Sequence, residues 1–247
     1  MKIVSWNIAC KDKTFQYVKE NRLNAELYLL QEVKKPKQPN NSRFIFEQID
    51  QSDGEKRSFG NCILSFNSSI KKIKIKTIHV GSLLASEFIT SSNLKLAVIN
   101  LYGILTEYGK GRKFVAPNIH RMLSDLTPLL IGASKEKYKH IVLAGDFNND
   151  RRMDTAKGLY WKKGMKTTKV LFDRIEDFLL TDCIKKKYPN YVRTFKNRSG
   201  RETIPWQLDH MFASNSVYGK LKNIEIIEND ETRKLSDHYP IVAEFDL

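Results

Sequence analysis

The sequence predicts an α/β fold, and two kinds of pattern in the chain support this. Short apolar runs of strand length, most of them rich in β-branched residues, recur throughout the chain and predict buried strands. A few other segments repeat their apolar residues at helical spacing. Many strands with interspersed helices are typical of α/β proteins that have two or four layers.

The predicted strands are eight apolar runs: Ile3–Ile8, Ala25–Leu30, Cys62–Phe66, Leu96–Leu101, Ile141–Ala144, Leu208–Phe212, Ile224–Ile227 and Ile241–Phe245. The segment from Ile70 to Ile78 alternates lysines with mostly apolar residues. This pattern predicts a half-exposed strand whose lysines protect a sheet edge. None of these patterns determines the direction of a strand.

Three segments are predicted helices. Phe15 and Val18 indicate a short helix after the first strand. A longer helix has Pro117 near its start and one apolar stripe, which consists of Ile119, Met122, Leu123, Leu126, Leu129 and Leu130. The third helix is indicated by Leu171, Ile175, Phe178 and Leu179.

The composition excludes several classes of protein. Hydrophobic residues make up 41% and charged residues 28% of the chain, as is typical of soluble globular proteins. We expect no membrane-spanning helix and no signal peptide, because the long apolar stretches that both require are missing. Cys10, Cys62 and Cys183 lie far apart, so a disulfide framework or zinc knuckle is not expected and a reducing cytoplasm fits best.

The charge of the chain indicates a polyanionic partner. The formal net charge is +14, and 15 Lys and Arg but only 5 Asp and Glu fall between Arg151 and Arg201. Basic proteins that bind nothing specific also exist. Acidic membrane lipid is a further candidate, but the sequence has no basic amphipathic helix with an aromatic apolar face to support it.

Polar clusters interrupt or border the predicted strands at five places. They are Trp6-Asn7, Gln31-Glu32, Gly145-Asp146-Phe147-Asn148, Leu208-Asp209-His210 and Ser236-Asp237-His238. Carboxylates at the ends of buried strands are costly unless they are hydrogen-bonded, paired or bound to metal. Several such carboxylates, accompanied by Asn and His, fit a site for a hard cation such as Mg²⁺ or Mn²⁺.

Each cluster taken alone also has a structural interpretation. Asp146 could belong to a turn, Glu32 could pair with a neighbouring lysine, and Asp237-His238 could be a buried structural pair. Strand alternation points His210 to the face opposite Asp209. The remaining histidines lack acidic neighbours in sequence and are interpreted as structural: His79, His120 and His140.

The order of the five clusters resembles the endonuclease/exonuclease/phosphatase superfamily, which has the fold of pancreatic deoxyribonuclease. Ser-Trp-Asn, Gln-Glu, Gly-Asp-Phe-Asn, Leu-Asp-His and Ser-Asp-His-Tyr-Pro follow one another between Ser5 and Pro240. Each motif alone is weakly specific, whereas all five in this order are highly specific. The resemblance implies a single domain over residues 1–247, built as a four-layer α/β/β/α sandwich of two mixed sheets flanked by helices.

The resemblance also implies a role for each motif residue. Glu32 is the principal Mg²⁺ ligand (Mn²⁺ is possible), Asn7 lies in the metal and phosphate shell, and Asp237 supports the metal site. Among the implied catalytic residues, Asp146 positions or deprotonates the attacking water, and Asn148 donates to a phosphate oxygen. His238 contacts the phosphate or acts as base, and Asp209 orients it. Either Asp146 or His238 could accept the water's proton.

Tyr102 is similar to the abasic-site endonuclease branch, in which a tyrosine at this point donates to the phosphate. Thr194-Phe195 and Trp206–Asp209 resemble the segment of that branch that faces the nucleic acid. Ala9 and Leu105 depart from the branch, which has an acidic residue and an asparagine there. We therefore predict a nuclease of related chemistry whose substrate preference is open.

The basic segment supplies the predicted contacts to nucleic acid, because cations interleaved with aromatic residues suit phosphate binding and base stacking. The predicted residues are Arg151, Arg152, Lys162, Lys163, Arg201 and Trp206. The aromatic residues could equally be part of the core.

The predicted function is a Mg²⁺-dependent nuclease that hydrolyses phosphodiester bonds of DNA or RNA by attack of water. One alternative is a phosphatase or phosphodiesterase that uses the same site on a small-molecule or lipid substrate. The other is an inert nucleic-acid-binding module, which is disfavoured because every motif retains its reactive residue. The sequence does not separate DNA from RNA or internal from terminal cleavage.

Overall fold

The computed structural model describes residues 1–37, 40–50, 56–108, 113–116, 118–131, 138–154, 167–196 and 206–247. Two six-stranded mixed sheets form the centre of this structure. A separate hairpin consists of β8 (Thr106–Tyr108) and β9 (Lys113–Val115). No helix among the described residues is long and apolar enough to cross a membrane.

The first sheet contains β1 (Lys2–Asn7), β2 (Leu27–Lys34), β3 (Phe44–Asp50), β4 (Lys56–Ser65), β13 (Leu221–Ile226) and β14 (Ile241–Phe245). Its strand order is β13-β14-β1-β2-β4-β3. Only β1 and β2 pair in parallel, and the other neighbours are antiparallel. The parallel pair places the ends of β1 and β2, and therefore Asn7 and Gln31, side by side.

The second sheet contains β5 (Ile70–Ile73), β6 (Leu83–Ile89), β7 (Lys95–Tyr102), β10 (His140–Asp146), β11 (Leu180–Asp182) and β12 (Asp209–Ser214). Its strand order is β11-β12-β10-β7-β6-β5. Here β7 and β10 form the only parallel pair. The two sheets therefore share one plan, with a central parallel pair flanked by antiparallel strands.

The helices are α1 (Asp12–Lys19), α2 (Asn118–Leu130), α3 (Thr167–Asp177), α4 (Asn215–Tyr218) and α5 (Asp230–Leu235), with a 3₁₀ turn at Ile184–Lys186. Three apolar layers separate these elements. The largest lies between the sheets, a second packs the second sheet against α2 and α3, and a third packs the first sheet against α1. The predicted four-layer α/β/β/α sandwich is confirmed.

All eight predicted strands are present, but the patterns missed β3, β6, β8, β9 and β11. The predicted edge strand ends at Ile73, because only Ile70–Ile73 pairs with β6. The third helix ends at Asp177, so Phe178 and Leu179 lie beyond it, and Leu179 has a left-handed φ of 58° and is 70% exposed. Pro117 lies outside the described residues.

The layer between the sheets changes from apolar to polar along its length. Inward positions of β7 run from Leu96 and Val98 to Asn100, and those of β1 run from Ile3 to Asn7. All of these side chains are buried. Because both sheets turn polar at the same end, their polar side chains meet in one place.

Asn100 joins the two sheets where this polar end begins. Its Nδ2 donates to the carbonyls of Leu30 and Cys62 in the first sheet, each at 2.9 Å. Its Oδ1 accepts from Gln31 Nε2 at 2.7 Å. Asn100 therefore satisfies three polar groups of the opposite sheet inside a buried layer.

Asn100→Leu is expected to lower the free energy of unfolding by about 2–4 kcal/mol, because Gln31 Nε2 and two buried backbone carbonyls each lose one hydrogen bond. Urea denaturation followed by circular dichroism measures this effect. The matched control is Asn223→Leu at an exposed position of β13, expected to change stability by less than about 0.5 kcal/mol. Equal stability of the two variants would contradict a structural role for Asn100.

Candidate active site

Three of the predicted site residues form one row across the second sheet. Asp146 in β10 stands in register with Tyr102 in β7 on one side and with Asp209 in β12 on the other. Residues in register on neighbouring strands project from the same face. Each of the three lies an even number of residues from an apolar residue of the same strand that faces the first sheet, so its side chain faces the same way. All three side chains therefore lie at the polar end of the layer between the sheets.

His210 lies on the opposite face of β12, as the alternation predicted. Its Nε2 is 2.8 Å from the carbonyl oxygen of Asn149, and its ring packs 4.8 Å from that of Phe172. Burial lowers the pKa of His210, which favours the neutral ring. His210 therefore belongs to the core beneath the site.

Gly145 permits the close approach of β7 to β10 beside Asp146. Its φ is 149°, a conformation that side chains disfavour, and a Cβ there would lie 1.9 Å from the carbonyl oxygen of Leu101. Any larger residue would push the two strands apart. The glycine of the Gly-Asp-Phe-Asn motif thus fixes the spacing between Tyr102 and Asp146.

Glu32 reaches the site only because β2 contains a bulge. Regular alternation would place Glu32 on the outer face, with Leu30, away from the second sheet. The pairing of β2 with β4 shifts between Leu30 and Val33, and Glu32 has a left-handed φ of 52°. The extra residue redirects the Glu32 carboxylate inward, at a conformational cost of about 1 kcal/mol.

Asn7 links the carboxylates of the two sheets. Its Nδ2 donates to Glu32 Oε1 at 3.1 Å and to Asp146 Oδ2 at 2.9 Å. The Tyr102 hydroxyl donates to the same Glu32 oxygen at 2.9 Å. Burial, and then the carboxylates of Glu32 and Asp146, hold the pKa of Tyr102 well above its usual value, so the hydroxyl keeps its proton.

His238 completes the site from the first sheet's side. Its Nδ1 donates to Asp209 Oδ2 at 2.8 Å, and its Nε2 lies 3.8 Å from Asp146 Oδ2. The Ser236 hydroxyl accepts from the backbone N–H of His238 and donates to the carbonyl of Asn7. The imidazole is therefore fixed between two carboxylates with its Nε2 directed at Asp146.

Asn148 closes the loop after β10 in a left-handed conformation, with φ 49°. Its backbone N–H donates to Asp146 Oδ1 at 2.8 Å, and its Nδ2 donates to the carbonyl of Gly103 at 2.7 Å and to Asp146 Oδ2 at 3.2 Å. The amide of Asn148 therefore touches the Asp146 carboxylate directly. Its predicted donation to phosphate stays a prediction.

Burial and charge adjust the acid–base properties of Asp146 and His238. Burial raises the pKa of Asp146, although the nearby His238 opposes the shift. Burial lowers the pKa of His238, but the carboxylates of Asp209 and Asp146 outweigh that effect and raise it well above its usual value. The pair therefore favours a protonated imidazole beside a carboxylate that binds a proton more readily than a surface aspartate does.

The donor atoms of the site fit a hard cation. Carboxylate oxygens of Asp146 and Asp209 and a His238 nitrogen lie within 4.8 Å of one another, and Glu32 joins them through Asn7. Asp209 Oδ1 is buried and has no hydrogen-bond partner among the described residues. Oxygen-rich sites of this kind suit Mg²⁺ or Mn²⁺.

Two predicted metal residues, Asn7 and Asp237, lie beside the cluster of Asp146, Asp209 and His238, and their roles at a metal stay predictions. Asn7 directs its Nδ2 to the carboxylates, while its Oδ1 accepts from the backbone N–H of Ala9 at 2.9 Å. In this arrangement Asn7 bridges the carboxylates through its Nδ2. Asp237 lies outside the cluster of Asp146, Asp209 and His238, and contributes through its negative charge, which raises the pKa of His238.

The predicted phosphate contacts at Arg151 and Arg152 stay predictions, and both guanidinium groups already have acidic partners within the chain. Arg151 donates to Glu176 Oε1 at 2.9 Å and lies over the ring of Phe172. Arg152 pairs with the fully buried Asp150 through Nε and Nη2. These ion pairs stabilise the loop after β10 and engage part of each guanidinium group.

Trp206 is partly exposed and lies 5.7 Å from the guanidinium of Arg152, on the segment that leads into Asp209. The other predicted nucleic-acid contacts, Lys162, Lys163 and Arg201, fall outside the described residues.

A second basic surface, a lysine-rich cleft, lies next to the backbone of Glu32. Its lining includes Cys10, whose backbone N–H donates to the Glu32 carbonyl at 2.9 Å. The lysines that line it are Lys11, Lys19, Lys34, Lys35 and Lys37. Within the described parts of the chain, only Lys34 of these forms an ion pair, with Asp12 at 2.9 Å. Sequence reasoning missed this lysine cleft, because its lysines come from separate segments.

The site has three structural supports, Thr194, Ser236 and Asp150. The sequence motifs include Thr194 and Ser236 but assign no role to them, and Asp150 lies outside the motifs. All three are buried and accept hydrogen bonds from the backbone of site segments. Ser, Thr and Asp are common in loops, and only their burial beside the site distinguishes them.

No protein-family model and no curated protein matches the sequence. Solved structures do match. The 3′ phosphatase NExo from Neisseria, bound to product DNA hairpin, superposes with a TM-score of 0.72 at 19% identity over 100% of both chains. The AP endonuclease LMAP from Leishmania major has a TM-score of 0.72 at 16% identity, over 98% of this chain and 86% of its own.

An AP endonuclease from Archaeoglobus fulgidus also matches, with a TM-score of 0.63 at 16% identity over 100% of both chains. At these identities the likeness establishes the fold. The chain therefore has the DNase I-like fold of these enzymes.

Proposed function

We propose that this protein is a Mg²⁺-dependent phosphodiesterase that cleaves nucleic acid. The observation that carries the proposal is the convergence of Glu32, Asp146 and Asp209 with His238 at the polar end of the layer between the sheets. Buried carboxylates in such numbers are costly unless they serve a ligand or a reaction. The solved structures of this fold that match are, by name, a 3′ phosphatase and AP endonucleases.

The site residues divide the reaction between them. Asp146 accepts the proton of the attacking water, since its pKa is raised and its Oδ2 lies 2.9 Å from Asn7 Nδ2 and 3.8 Å from His238 Nε2. The protonated His238, oriented by Asp209, stabilises negative charge on the phosphate. A divalent cation held by Glu32 and its neighbouring carboxylates would supply further positive charge to the phosphate oxygens.

The lysine cleft indicates that the substrate is a polyanion longer than one phosphate. Lys11, Lys19, Lys35 and Lys37 are exposed and, among the described residues, form no ion pair, so their charge is available for a ligand. The cleft begins beside Glu32, so a chain whose phosphate lies at the site can place its next phosphates there. Phosphate contacts of this kind carry no sequence information.

Asp146→Asn and Glu32→Gln are each expected to lower kcat by about 10²–10⁴-fold, because one removes the proton acceptor and the other a cation ligand. Cleavage of end-labelled single-stranded and duplex DNA, an abasic duplex and RNA, with Mg²⁺ or EDTA, measures the decrease. Glu225→Gln, which changes an exposed ion-paired carboxylate in β13, is the matched control.

Wild-type protein that hydrolyses a small phosphodiester but no polymer would contradict the nucleic-acid substrate and favour the small-molecule alternative. Metal-independent cleavage would contradict the mechanism.

Lys→Gln changes at Lys11, Lys19, Lys35 and Lys37 together are expected to weaken binding and to reduce its dependence on salt. The slope of log K against log[salt] should fall by about 0.7–0.9 for every phosphate that a lysine no longer neutralises. Fluorescence anisotropy with a labelled oligonucleotide in EDTA, where cleavage is prevented, measures both quantities.

The control variant carries the same charge change at four ion-paired lysines: Lys95, Lys169, Lys187 and Lys222. Equal salt slopes in the two variants would show that only net charge matters and that the cleft is not the binding surface.

Asp209→Asn is expected to lower the pKa of His238, because a carboxylate that stabilises the imidazolium is replaced by a neutral amide. An NMR titration of the imidazole protons in metal-free protein measures the shift. Asp230→Asn, a carboxylate in the first turn of α5, should leave the pKa unchanged. An unchanged pKa in Asp209→Asn would contradict the proposed pairing.

A further inference from the structure

The side chain of Thr194 is fully buried, and its hydroxyl oxygen accepts two consecutive backbone N–H groups of the segment that carries Asp209. The N–H of Leu208 donates to Thr194 Oγ1 at 3.0 Å, and the N–H of Asp209 donates at 3.1 Å. One hydroxyl therefore fixes the backbone of a site residue.

Among the described residues, no strand covers the β11 side of β12 as far as Asp209, so the backbone N–H groups there donate to a hydroxyl. β11 pairs only with residues Phe212–Ser214 of β12, so it ends before it reaches Asp209. The neighbouring N–H of Gln207 likewise donates to a side chain, Asp150 Oδ2, at 2.7 Å. Three successive N–H groups thus depend on side-chain acceptors, and the position of Asp209 becomes sensitive to substitution of those side chains.

The backbone of Thr194 also contacts the segment that carries His238, which is hydrogen-bonded to Asp209. Its carbonyl accepts from the N–H of Tyr239 at 2.8 Å, next to His238. The following residue, Phe195, bridges to His238, and the two rings lie 4.8 Å apart. Thr194 therefore contacts the chain on both sides of the hydrogen bond between Asp209 and His238.

We propose that Thr194 is a positioning residue whose hydroxyl fixes the geometry of the Asp209–His238 hydrogen bond. The rate of the proposed hydrolysis depends on that geometry. The inference rests on the proposed function for its kinetic consequence, whereas the hydrogen bond itself can be observed without activity. Thr194 touches neither Asp146 nor the Glu32 carboxylate by any hydrogen bond of the described residues. Its effect is therefore on the orientation of His238.

The test compares Thr194→Val, which keeps the shape and removes the acceptor, with Thr194→Ser, which keeps the hydroxyl. In Thr194→Val, kcat is expected to fall about 10–100-fold with KM within about twofold, because a displaced His238 no longer meets the phosphate in the transition state. Thr194→Ser is expected to retain kcat within about threefold. Thr168→Val, at a buried threonine in α3 whose hydroxyl has no partner among the described residues, is the matched control.

The second readout is the NMR signal of the His238 Nδ1 proton in metal-free protein. A short hydrogen bond to Asp209 moves this proton downfield and slows its exchange with water. We expect the signal to disappear or to shift upfield in Thr194→Val, and to persist in Thr194→Ser and in Thr168→Val. If Thr194→Val does not fold, Thr194→Cys, with a weaker acceptor, should give intermediate values of both kcat and the proton shift.

A wild-type signal in Thr194→Val or Thr194→Cys would overturn the proposal, whatever the activity of the variant. A decrease in kcat without any change in this signal would overturn it too, because Thr194 would then act by another route. Wild-type protein that cleaves nothing would contradict the proposed function alone, since the signal would still decide how Thr194 acts on the hydrogen bond.

Discussion

The hydrogen bonds from Asn7 Nδ2 to Glu32 and to Asp146 are the contacts on which the rest of the site depends. The first joins neighbouring strands of the first sheet, and the second crosses to the second sheet where the layer between the sheets becomes polar. Two carboxylates so close together in a buried layer would repel each other, and the shared amide donor offsets part of that repulsion. The site therefore requires that two separately hydrogen-bonded sheets stack with their polar ends aligned.

Burial serves both stability and chemistry in this arrangement. Leucine, isoleucine and valine fill most of the layer between the sheets, and this apolar part stabilises the fold that holds the polar end. The same low exposure raises the pKa of Asp146 and leaves Asp209 Oδ1 without a hydrogen-bond partner among the described residues. A carboxylate in this state is suited to a proton or a cation, as the proposed reaction requires.

The distribution of charge in space differs from its distribution along the chain. The segment from Arg151 to Arg201 has the densest positive charge in the sequence, yet its arginines at 151 and 152 pair with acidic residues inside the fold. The lysine cleft beside Glu32 collects residues from the β1–α1 region and from the end of β2. An ion pair cancels the charge that a partner would feel, so pairing decides which basic surface can bind a polyanion.

The sequence by itself determined the α/β class, all eight predicted strands and the opposite faces of Asp209 and His210, because burial imposes a period that can be read from the residues. Its motifs also indicated which polar residues meet. Only the tertiary structure decided how Glu32 enters the site, since a bulge reverses its parity and a left-handed glutamate has no sequence signature. The same holds for Thr194 and for the pairing of Arg151 and Arg152, because these contacts join segments whose separation in sequence carries no information about their distance in space.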